Sequence, residues 1–587
     1  MTNFTSSHAL FKVFTDHGMD RLFLVPGESY LGLLDALVDF PSIDVVTCRH
    51  EGGAGYMAVA DGRLTRRPGL ALVSRGPGAS NAAIAVHTAQ QDAVPMILVI
   101  GQIAARDLRR EAFQEIDYQQ MFGSIAKWVF ECTGPEQIAQ AAFKAIRMAT
   151  SGVPGPVVLV LPEDIQQQTV PEPNFKQHPH VFGLPAPDKL AEIVEKLKAA
   201  QRPVVIAGGV FDCPGGREAL AAFVHHWQLP TMVSFRRHDI FANDDALFVG
   251  DLGLSNPAAQ MATLQTSDFI LALGTRLGDI TTQNYQFPAY AQAPQTLLHC
   301  YPDSRVVSWD TVADYPLVCD PVGLVQALTQ GPASAVSTAR VSWLKALREH
   351  SQSWAAWPSR QAKKGVNFTE VVRALEAHSS LETTICLDAG TFAAPVYRHF
   401  TFKTGQRLMA PLAGAMGYGT PAAVACALRE PTRTTVCIVG DGGFLMTGNE
   451  MILAVERKLP IIFIVSNNAS YGSIRLHQER GYPGRVSGTS LFNPDFYALA
   501  RSFGMAAARI TQKEEIDGVI QAAFKANAPI LIEVNTSLDA MLPKARSTSA
   551  FIAQRLRDHS ALSNKRPTLE AQSLAKTGHL TIGYDEA

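Results

Sequence analysis

Short apolar runs recur along the chain, and residues with helical spacing of apolar side chains separate them. Residues 435–439 read Thr-Val-Cys-Ile-Val and residues 460–466 read Pro-Ile-Ile-Phe-Ile-Val-Ser. Runs of this length that are rich in β-branched residues are typical of strands buried on both faces. Between them, residues 449–458 place apolar side chains at helical spacing. The pattern predicts a strand–helix–strand unit with parallel strands.

The same alternation appears in the rest of the chain. Residues 43–48, 95–102, 203–209 and 269–277 are apolar runs of strand length. Strands that alternate with helices form parallel sheets covered by helices on both faces. We therefore predict an α/β protein built from doubly wound parallel sheets.

Two segments interrupt this alternation. Residues 166–189 are rich in Gln, Pro and His, and residues 331–338 are a run of mostly small residues that is typical of a linker. A chain of 587 residues is also too long for one hydrophobic core. We predict three domains and a polar C-terminal tail or lid, at residues 1–165, 190–330, 365–545 and 546–587.

The amino-acid composition argues against a nucleic-acid-binding, a membrane-spanning and a secreted protein. Charged residues make up 18% of the chain, below the typical value of about 25%, so much surface should be buried between domains or subunits. A net charge of −2 gives no reason to expect nucleic acid or a membrane surface as partner. No apolar run has the length of a membrane span, and the N-terminus lacks the pattern of a secretory signal. The eight cysteines form no CxxC pair, which favours a cytoplasmic protein with reduced thiols.

Oxygen-bearing side chains follow the two apolar runs described first. Gly440-Asp441-Gly442 ends one run and Asn467-Asn468 ends the other. The carboxyl ends of neighbouring parallel strands form a ligand crevice. Mg²⁺ prefers oxygen ligands and is often shared between one carboxylate and phosphate oxygens. Each motif alone would be a loop, but together they predict a metal site made by Asp441, the Asn468 amide oxygen and the Ser470 carbonyl.

The segment from Gly440 to Asn468 resembles the signature of thiamine diphosphate-dependent enzymes, and the whole chain resembles their acetolactate synthase branch. The resemblance implies thiamine diphosphate and Mg²⁺ as cofactors, a pyrimidine-binding first domain, a central domain and a diphosphate-binding third domain. It also implies a homodimer or homotetramer with active sites between chains. The residues implied to bind the diphosphate end of the cofactor are Gly440, Asp441, Gly442, Gly443, Asn468, Ser470, Tyr471 and Gly472.

A glutamate follows the apolar run at residues 43–48. In the family, the residue corresponding to Glu51 hydrogen-bonds N1′ of the aminopyrimidine. A buried carboxylic acid with a raised pKa can share its proton with that ring nitrogen, while the cofactor carries the difficult chemistry. Alone, Glu51 would be a glutamate favoured by a helix dipole. The strand and Gly/Pro turn at residues 73–81, which also match the family, favour the catalytic role. Glu51 argues against the glyoxylate carboligases, which have an apolar residue at this position.

The segment Leu412–Gly419 resembles the part of the family that bends the cofactor into its reactive V shape. Met416 matches the apolar wedge under the bend, and the Gly414 carbonyl matches the acceptor for the 4′-amino group. Taken alone, Met416 would be an ordinary core methionine.

Three further residues are candidates for handling substrate. Gln114 lies in Ala-Phe-Gln-Glu, which resembles an acetolactate synthase block whose glutamine faces the reacting centre. Lys127 matches a lysine near the substrate carboxylate, although a solvated lysine is the alternative. His477 replaces a tryptophan of many biosynthetic relatives and could shuttle a proton or merely line the channel. With Glu51, these are the predicted catalytic residues.

The sequence slightly favours a protein that does not bind FAD. Acetolactate synthases hold FAD in the middle domain, and Gly274–Asp279 resembles the arginine-bearing stretch that helps to bind it. However, the paired acidic-then-arginine pattern of the flavin-binding relatives is missing here. No Gly-x-Gly-x-x-Gly follows the predicted strand at residues 204–207.

The resemblance implies an enzyme that decarboxylates a 2-oxoacid and joins the acyl group to a second carbonyl. Its partners would be small 2-oxoacid and carbonyl substrates; the sequence does not indicate whether a regulatory subunit exists. The alternatives are a 2-oxoacid decarboxylase, an aldehyde lyase or another acyloin-forming carboligase. The chain lacks the histidine pair that aldehyde-forming decarboxylases often carry near Gln114, which favours C–C bond formation. A catalytically silent cofactor-binding subunit is disfavoured, because Glu51, Asp441 and Asn468 are intact.

Overall fold

Three six-stranded parallel sheets organise the chain. The computed structural model describes residues 4–177, 183–254, 256–289, 291–331, 336–358, 362 and 365–538. The predicted tail at residues 546–587 and half of the predicted linker at 331–338 lie outside these residues. The predicted α/β class with three doubly wound parallel sheets is confirmed, whereas the predicted domain boundaries stay predictions.

The first sheet has the strand order β2-β1-β3-β4-β6-β5. Its strands are β1 (Arg21–Leu24), β2 (Asp44–Thr47), β3 (Gly69–Val73), β4 (Met96–Gln102), β5 (Trp128–Glu131) and β6 (Pro156–Pro162). Its helices are α1 (Ser6–Asp16), α2 (Leu31–Leu37), α3 (Glu51–Thr65), α4 (Pro77–Asp92), α5 (Tyr118–Phe122) and α6 (Gln137–Thr150). The central strands β3, β4 and β6 are buried along their whole length, which explains their unbroken apolar sequences.

The middle sheet has the order β14-β12-β10-β7-β8-β9, and a separate two-stranded ladder pairs β11 with β13. The strands are β7 (Pro203–Ala207), β8 (Thr231–Val233), β9 (Phe248–Asp251), β10 (Phe269–Leu273), β11 (Ala291–Gln292), β12 (Thr296–Cys300), β13 (Thr311–Val312) and β14 (Tyr315–Leu317). The helices are α7 (Pro187–Ala199), α8 (Gly216–Trp227), α9 (Ala258–Leu264), α10 (Pro321–Leu328) and α11 (Thr338–Ala355). The strand order reverses between β7 and β10, which creates a crevice at their carboxyl ends.

The third sheet has the order β16-β15-β17-β18-β20-β19. Its strands are β15 (Thr383–Leu387), β16 (Arg407–Met409), β17 (Thr434–Gly440), β18 (Ile461–Asn467), β19 (Ala506–Ile510) and β20 (Ile530–Asn535). Its helices are α12 (Phe368–His378), α13 (Ala394–His399), α14 (Gly419–Arg429), α15 (Asp441–Thr447), α16 (Ile452–Glu456), α17 (Gly472–Gly481), α18 (Phe496–Ser502) and α19 (Ile516–Lys525). When the strands of each sheet are numbered from its own first strand in the chain, the first and third sheets have the same strand order. This relationship is not obvious in the sequence.

Helices α3 and α14 join the first and third sheets through one continuous hydrophobic core. The rings of Tyr56 and Tyr418 meet edge to face in this core, with centroids 5.6 Å apart. At its border, the Arg429 guanidinium donates to both carboxylate oxygens of Asp61, at 2.8 and 3.0 Å. The two sheets are therefore held in a fixed relation within one chain.

None of the helices that the structure describes is long and apolar enough to cross a membrane.

Helix α3 and strand β3 pack closely at Gly69, where a larger residue would not fit. A substitution at this position tests the packing. A Cβ added at Gly69 would lie 1.8 Å from the main-chain oxygen of Ala58, so the backbone itself must move. We expect Gly69→Ala to destabilise the protein by about 3 kcal/mol or more, because strain between two backbones relaxes poorly. The midpoint of urea unfolding, followed by circular dichroism, measures the effect.

Gly518→Ala in α19 is the matched control, since an added Cβ there meets no atom within 4 Å. We expect it to raise stability by roughly 0.5–1 kcal/mol through helix propensity. Equal unfolding midpoints for the two variants would contradict this account of the α3–β3 contact.

Candidate active site

Asp441 is the first residue of α15 and lies directly after β17. Its side chain is 2% exposed, and main-chain N–H groups surround it. Oδ1 accepts a hydrogen bond from Gly442 N at 2.9 Å, and Oδ2 accepts from Asn468 N at 3.2 Å and Ser470 N at 3.3 Å. Burial raises the pKa of Asp441, and these hydrogen bonds act in the opposite direction. The predicted proximity of Asp441 and the Asn468 loop is therefore present.

Asn493 is a site residue that the sequence did not reveal. Its Nδ2 donates to Asp441 Oδ2 at 2.8 Å and to Asn467 Oδ1 at 2.9 Å. Its own Oδ1 is buried and has no hydrogen-bond partner in the part of the chain that the structure describes. No spacing rule connects Asn493 with the Gly-Asp-Gly motif, since the residue arrives from a loop between α17 and α18.

The loop after β18 is held in one conformation from both sides. Asn468 Oδ1 accepts from Ser470 N at 3.0 Å. Ser470 Oγ and Tyr471 N both donate to the Thr489 carbonyl, at 2.8 and 2.9 Å. Gly442 makes room for the Tyr471 ring, because an added Cβ would lie 2.5 Å from Cε1.

Two helices begin at this crevice, α15 at Asp441 and α17 at Gly472. The free N–H groups and the dipole of a helix N-terminus favour phosphate. Gly443 faces another carboxylate, since an added Cβ would lie 3.1 Å from Asp388 Oδ2. The crevice thus combines the N-termini of two helices with one buried carboxylate.

Asp388, at the end of β15, fixes the segment that contains Gly414 and Met416. It accepts from Gly417 N at 3.0 and 2.8 Å and from Gly419 N at 3.3 Å. Burial raises the pKa of Asp388 to about 7. On the other side, Ala413 N donates to Asp92 of α4 at 3.0 Å.

Within this segment, Gly414 has a φ of +66°, and a Cβ added there would meet no atom within 4 Å. Its backbone therefore borders open space. Met416 is half-buried, and its carbonyl accepts from Tyr56 Oη of α3 at 3.3 Å.

Glu51 begins α3 on the first sheet and is half-buried. Asn81 Nδ2 of α4 donates to Glu51 Oε2 at 2.9 Å. A Cβ added at Gly78 would lie 3.4 Å from Oε1, so the turn after β3 forms a wall beside the carboxylate. The sequence indicates Asn81 only as the last residue of the Gly/Pro turn at residues 73–81.

Gln114 lies at the same turn as Glu51. A Cβ added at Gly76 would lie 2.9 Å from the Cβ of Gln114. Gln114 itself has a φ of +65°. This left-handed conformation is uncommon for a residue other than glycine. The preceding residue, Phe113, is 78% exposed, so the loop presents an apolar side chain to the outside of the chain.

Lys127 and His477 lie apart from these contacts. Lys127 Nζ donates to the carbonyls of Ser151 and Val153, at 2.5 and 2.7 Å, and burial lowers its pKa to about 8. His477 is an exposed residue of α17. No hydrogen bond joins Glu51 or Gln114 to residues 414–416 or 440–472 within the described residues.

A cavity of about 530 Å³ lies between the first domain and the crevice of the middle sheet. Two of its arginines, Arg63 and Arg66, come from the C-terminal end of α3. Arg63 is 3% exposed, and its Nη1 and Nη2 have no partner among the described residues. Unpaired guanidinium nitrogens of this kind are suited to binding phosphate groups.

Comparison with known proteins agrees with this geometry. Three described families match the chain: "Thiamine pyrophosphate enzyme, N-terminal TPP binding domain" at residues 4–121, "Thiamine pyrophosphate enzyme, central domain" at 190–328, and "Thiamine pyrophosphate enzyme, C-terminal TPP binding domain" at 388–534.

Curated relatives match over nearly the whole chain. Acetolactate synthase isozyme 3 large subunit of Escherichia coli is 30% identical, over 87% of this chain and 90% of the relative. The acetolactate synthase large subunit of Lactococcus lactis is 27% identical, over 90% of this chain and 92% of the relative. A probable acetolactate synthase large subunit of Methanocaldococcus jannaschii is 28% identical, over 90% and 91%.

A fold of three parallel sheets with a carboxylate crevice at the end of β17 defines a thiamine diphosphate-dependent enzyme. The chain belongs to the acetolactate synthase-like branch of that family. The family resemblance inferred from the motifs is confirmed.

The residues of the crevice fit the diphosphate and its cation. Among the described residues, no cluster of three or more His, Cys, Asp or Glu side chains could hold a metal. A single buried carboxylate beside an amide and a carbonyl suits Mg²⁺, which takes its remaining ligands from phosphate and water.

Asn493 provides a direct test of the crevice. We expect Asn493→Ala to weaken binding of thiamine diphosphate with Mg²⁺ by roughly 10- to 100-fold, because Asp441 and Asn467 lose a shared donor. Isothermal titration calorimetry measures the affinity. Asn535→Ala, an exposed amide at the end of the neighbouring strand β20, is the control. Equal cofactor affinities of the two variants would show that Asn493 does not contribute to cofactor binding.

Proposed function

We propose that this enzyme decarboxylates a 2-oxoacid and ligates the acyl group to a second carbonyl, as an acetolactate synthase does. The observation that carries the proposal is the buried Asp441 carboxylate, which faces the Asn468–Ser470 loop between two helix N-termini. The names of the relatives and the intact Glu51 support the same chemistry.

When bound, thiamine diphosphate supplies a nucleophilic carbon and an electron sink for decarboxylation. Asp441 Oδ, Asn468 Oδ1 and the Ser470 carbonyl would hold Mg²⁺, and the N–H groups at the starts of α15 and α17 would hold the diphosphate. Gly440, Gly442 and Gly443 would let the backbone approach the diphosphate, and their missing side chains leave room for Phe392, Tyr471 and Asp388.

Glu51 would exchange a proton with N1′ of the aminopyrimidine. Asn81 holds one oxygen of this carboxylate, so the other oxygen would be the one that meets the ring nitrogen. Met416 would support the bend of the cofactor, and the Gly414 carbonyl would accept from the 4′-amino group. The open space beside Gly414 suits this role.

Gln114 would face the reacting carbonyl, since it shares the turn beside Glu51. Tyr471 and His477 would line the substrate path from α17. Lys127 remains a candidate for steering the substrate carboxylate, although both of its hydrogen bonds reach main-chain carbonyls.

We propose that two chains complete each active site. Glu51 and Asp441 would carry the two halves of the chemistry, and within the described residues no hydrogen bond joins them. Exposed apolar side chains lie beside both halves, Ile84 and Phe113 near Glu51 and Leu445 and Met446 near Asp441. Burying these surfaces against a second copy would bring Glu51 of one chain to the Asp441 crevice of the other. Either a dimer or a tetramer satisfies this requirement.

The reaction itself is redox-neutral, so a flavin in the middle cavity would serve structure and not catalysis. The cytoplasmic location and the absence of nucleic acid and membrane partners stay predictions from the sequence.

Incubation with thiamine diphosphate, Mg²⁺ and pyruvate tests the proposed reaction. Two pyruvate molecules give one acetolactate and one CO₂, so we expect equal amounts of these two products and little acetaldehyde. Glu51→Gln should lower the rate by roughly 100- to 10,000-fold, since it removes the proton-transfer group. Acetaldehyde in place of acetolactate would assign a decarboxylase instead. The same assay is then repeated with other 2-oxoacids in place of pyruvate.

Mixing two inactive variants tests whether the active site lies between chains. Glu51→Gln and Asp441→Ala chains are co-expressed with different tags. A mixed dimer would contain one intact site and one doubly altered site, so random pairing should restore roughly a quarter of the wild-type activity. Activity that stays at the level of the single variants would place the site within one chain.

A further inference from the structure

Glu450 connects the third domain to the residues that precede Glu51. It lies in the turn between α15 and α16 and is 0% exposed. Its Oε1 accepts hydrogen bonds from the main-chain N–H groups of Arg49 and His50, both at 2.9 Å. These two residues come directly before Glu51 in the chain.

The space around this carboxylate is shaped to admit it. A Cβ added at Gly53 would lie 2.7 Å from Glu450 Oε1 and 2.8 Å from Cγ. The second oxygen, Oε2, is buried and has no hydrogen-bond partner within the described ranges. Burial raises the pKa of Glu450 to about 7, while the two N–H groups and the charge of Arg49 act against that rise.

The two N–H groups belong to the N-cap residue of α3, His50, and to Arg49 directly before it; the N–H groups at a helix start need partners outside the helix. His50 caps the helix from within, since its Nδ1 accepts from Gly52 N at 3.0 Å. Glu450 supplies a second cap from the third domain. The backbone at residues 49 and 50 sets the position and direction of the Glu51 side chain.

We propose that Glu450 is a positioning residue that fixes the catalytic glutamate through the backbone on its N-terminal side. This inference rests on the proposed role of Glu51. Packing alone does not call for an acid here, because a buried carboxylate is costly unless it is well paired. One carboxylate oxygen between two N–H groups provides an acceptor geometry that an apolar side chain cannot.

The test compares Glu450→Ala, Glu450→Gln and Gly53→Ala. Gly53→Ala leaves the acid in place but pushes its carboxylate away from the backbone, so it does not depend on the fold of the Glu450 variants. The primary measurement is the exchange of the C2 proton of bound thiamine diphosphate in D₂O, at saturating cofactor. Hydrogen exchange of the Arg49 and His50 amides, followed by mass spectrometry without cofactor, reports the two hydrogen bonds directly.

We expect Glu450→Ala and Gly53→Ala to slow C2 proton exchange on the order of 100-fold, as for a misplacement of about 1 Å. Cofactor affinity should be unchanged, and the two amides should lose protection. Glu450→Gln should retain more activity than Glu450→Ala, because its amide oxygen can still accept both bonds. Glu456→Gln is the control, since this exposed acid pairs with the side chains of Arg49, at 3.3 Å, and Arg457, at 3.8 Å, and does not accept from the main chain of residues 49 and 50.

C2 proton exchange at the wild-type rate in Glu450→Ala and Gly53→Ala would overturn the proposal. A loss that only follows weaker cofactor binding would overturn it as well. Wild-type exchange that is abolished in Glu51→Gln supports the proposed function independently. A change confined to the Glu450 and Gly53 variants then bears on the positioning role alone.

Discussion

The close packing of α3 is the constraint on which the rest of the molecule depends. Twelve of its 15 residues are buried, because the helix is enclosed by the first sheet, α4 and α14. A helix enclosed on all sides cannot carry a polar face. Its glycines allow this: a Cβ at Gly55 would lie 2.4 Å from the Cβ of Ala85. The same helix starts at Glu51 and carries Arg63 in its last turn, beside the middle cavity, so one helix extends from the predicted site to that cavity.

Buried acids at the ends of strands and turns define the chemistry of the third domain. Asp388, Asp441 and Glu450 are each almost fully buried, and each accepts hydrogen bonds from main-chain N–H groups. None of the three forms an ion pair with a lysine or arginine within the described residues. Burial raises the pKa of all three. A carboxylate held only by neutral donors keeps its charge available for a cation, which suits Asp441.

The first and third sheets share one strand order, yet they present different groups to the site. The turn after β3 brings Gly76 and Gly78 beside Gln114 and Glu51, whereas the topologically equivalent turn after β17 carries Asp441. In the third sheet the crevice lies at the carboxyl ends of the neighbouring strands β17 and β18, beside the point between β15 and β17 where the strand order reverses. The shared topology thus places two acids in different surroundings, the half-buried Glu51 after β2 and the buried Asp441 after β17.

The sequence by itself determined the strands, the fold class and the cofactor motifs, because these depend on local periodicity and on short motifs at strand ends. Glu51, Asp441 and Asn468 could be found in this way. Only the tertiary structure decided which distant groups surround them. Asn493 and Glu450 reach the site from a loop and from another domain, at separations in sequence that no periodic pattern encodes. Arg63 Nη1 and Nη2, which have no partner among the described residues, are likewise evident only in the folded chain, since burial and hydrogen-bond partners are properties of the folded chain.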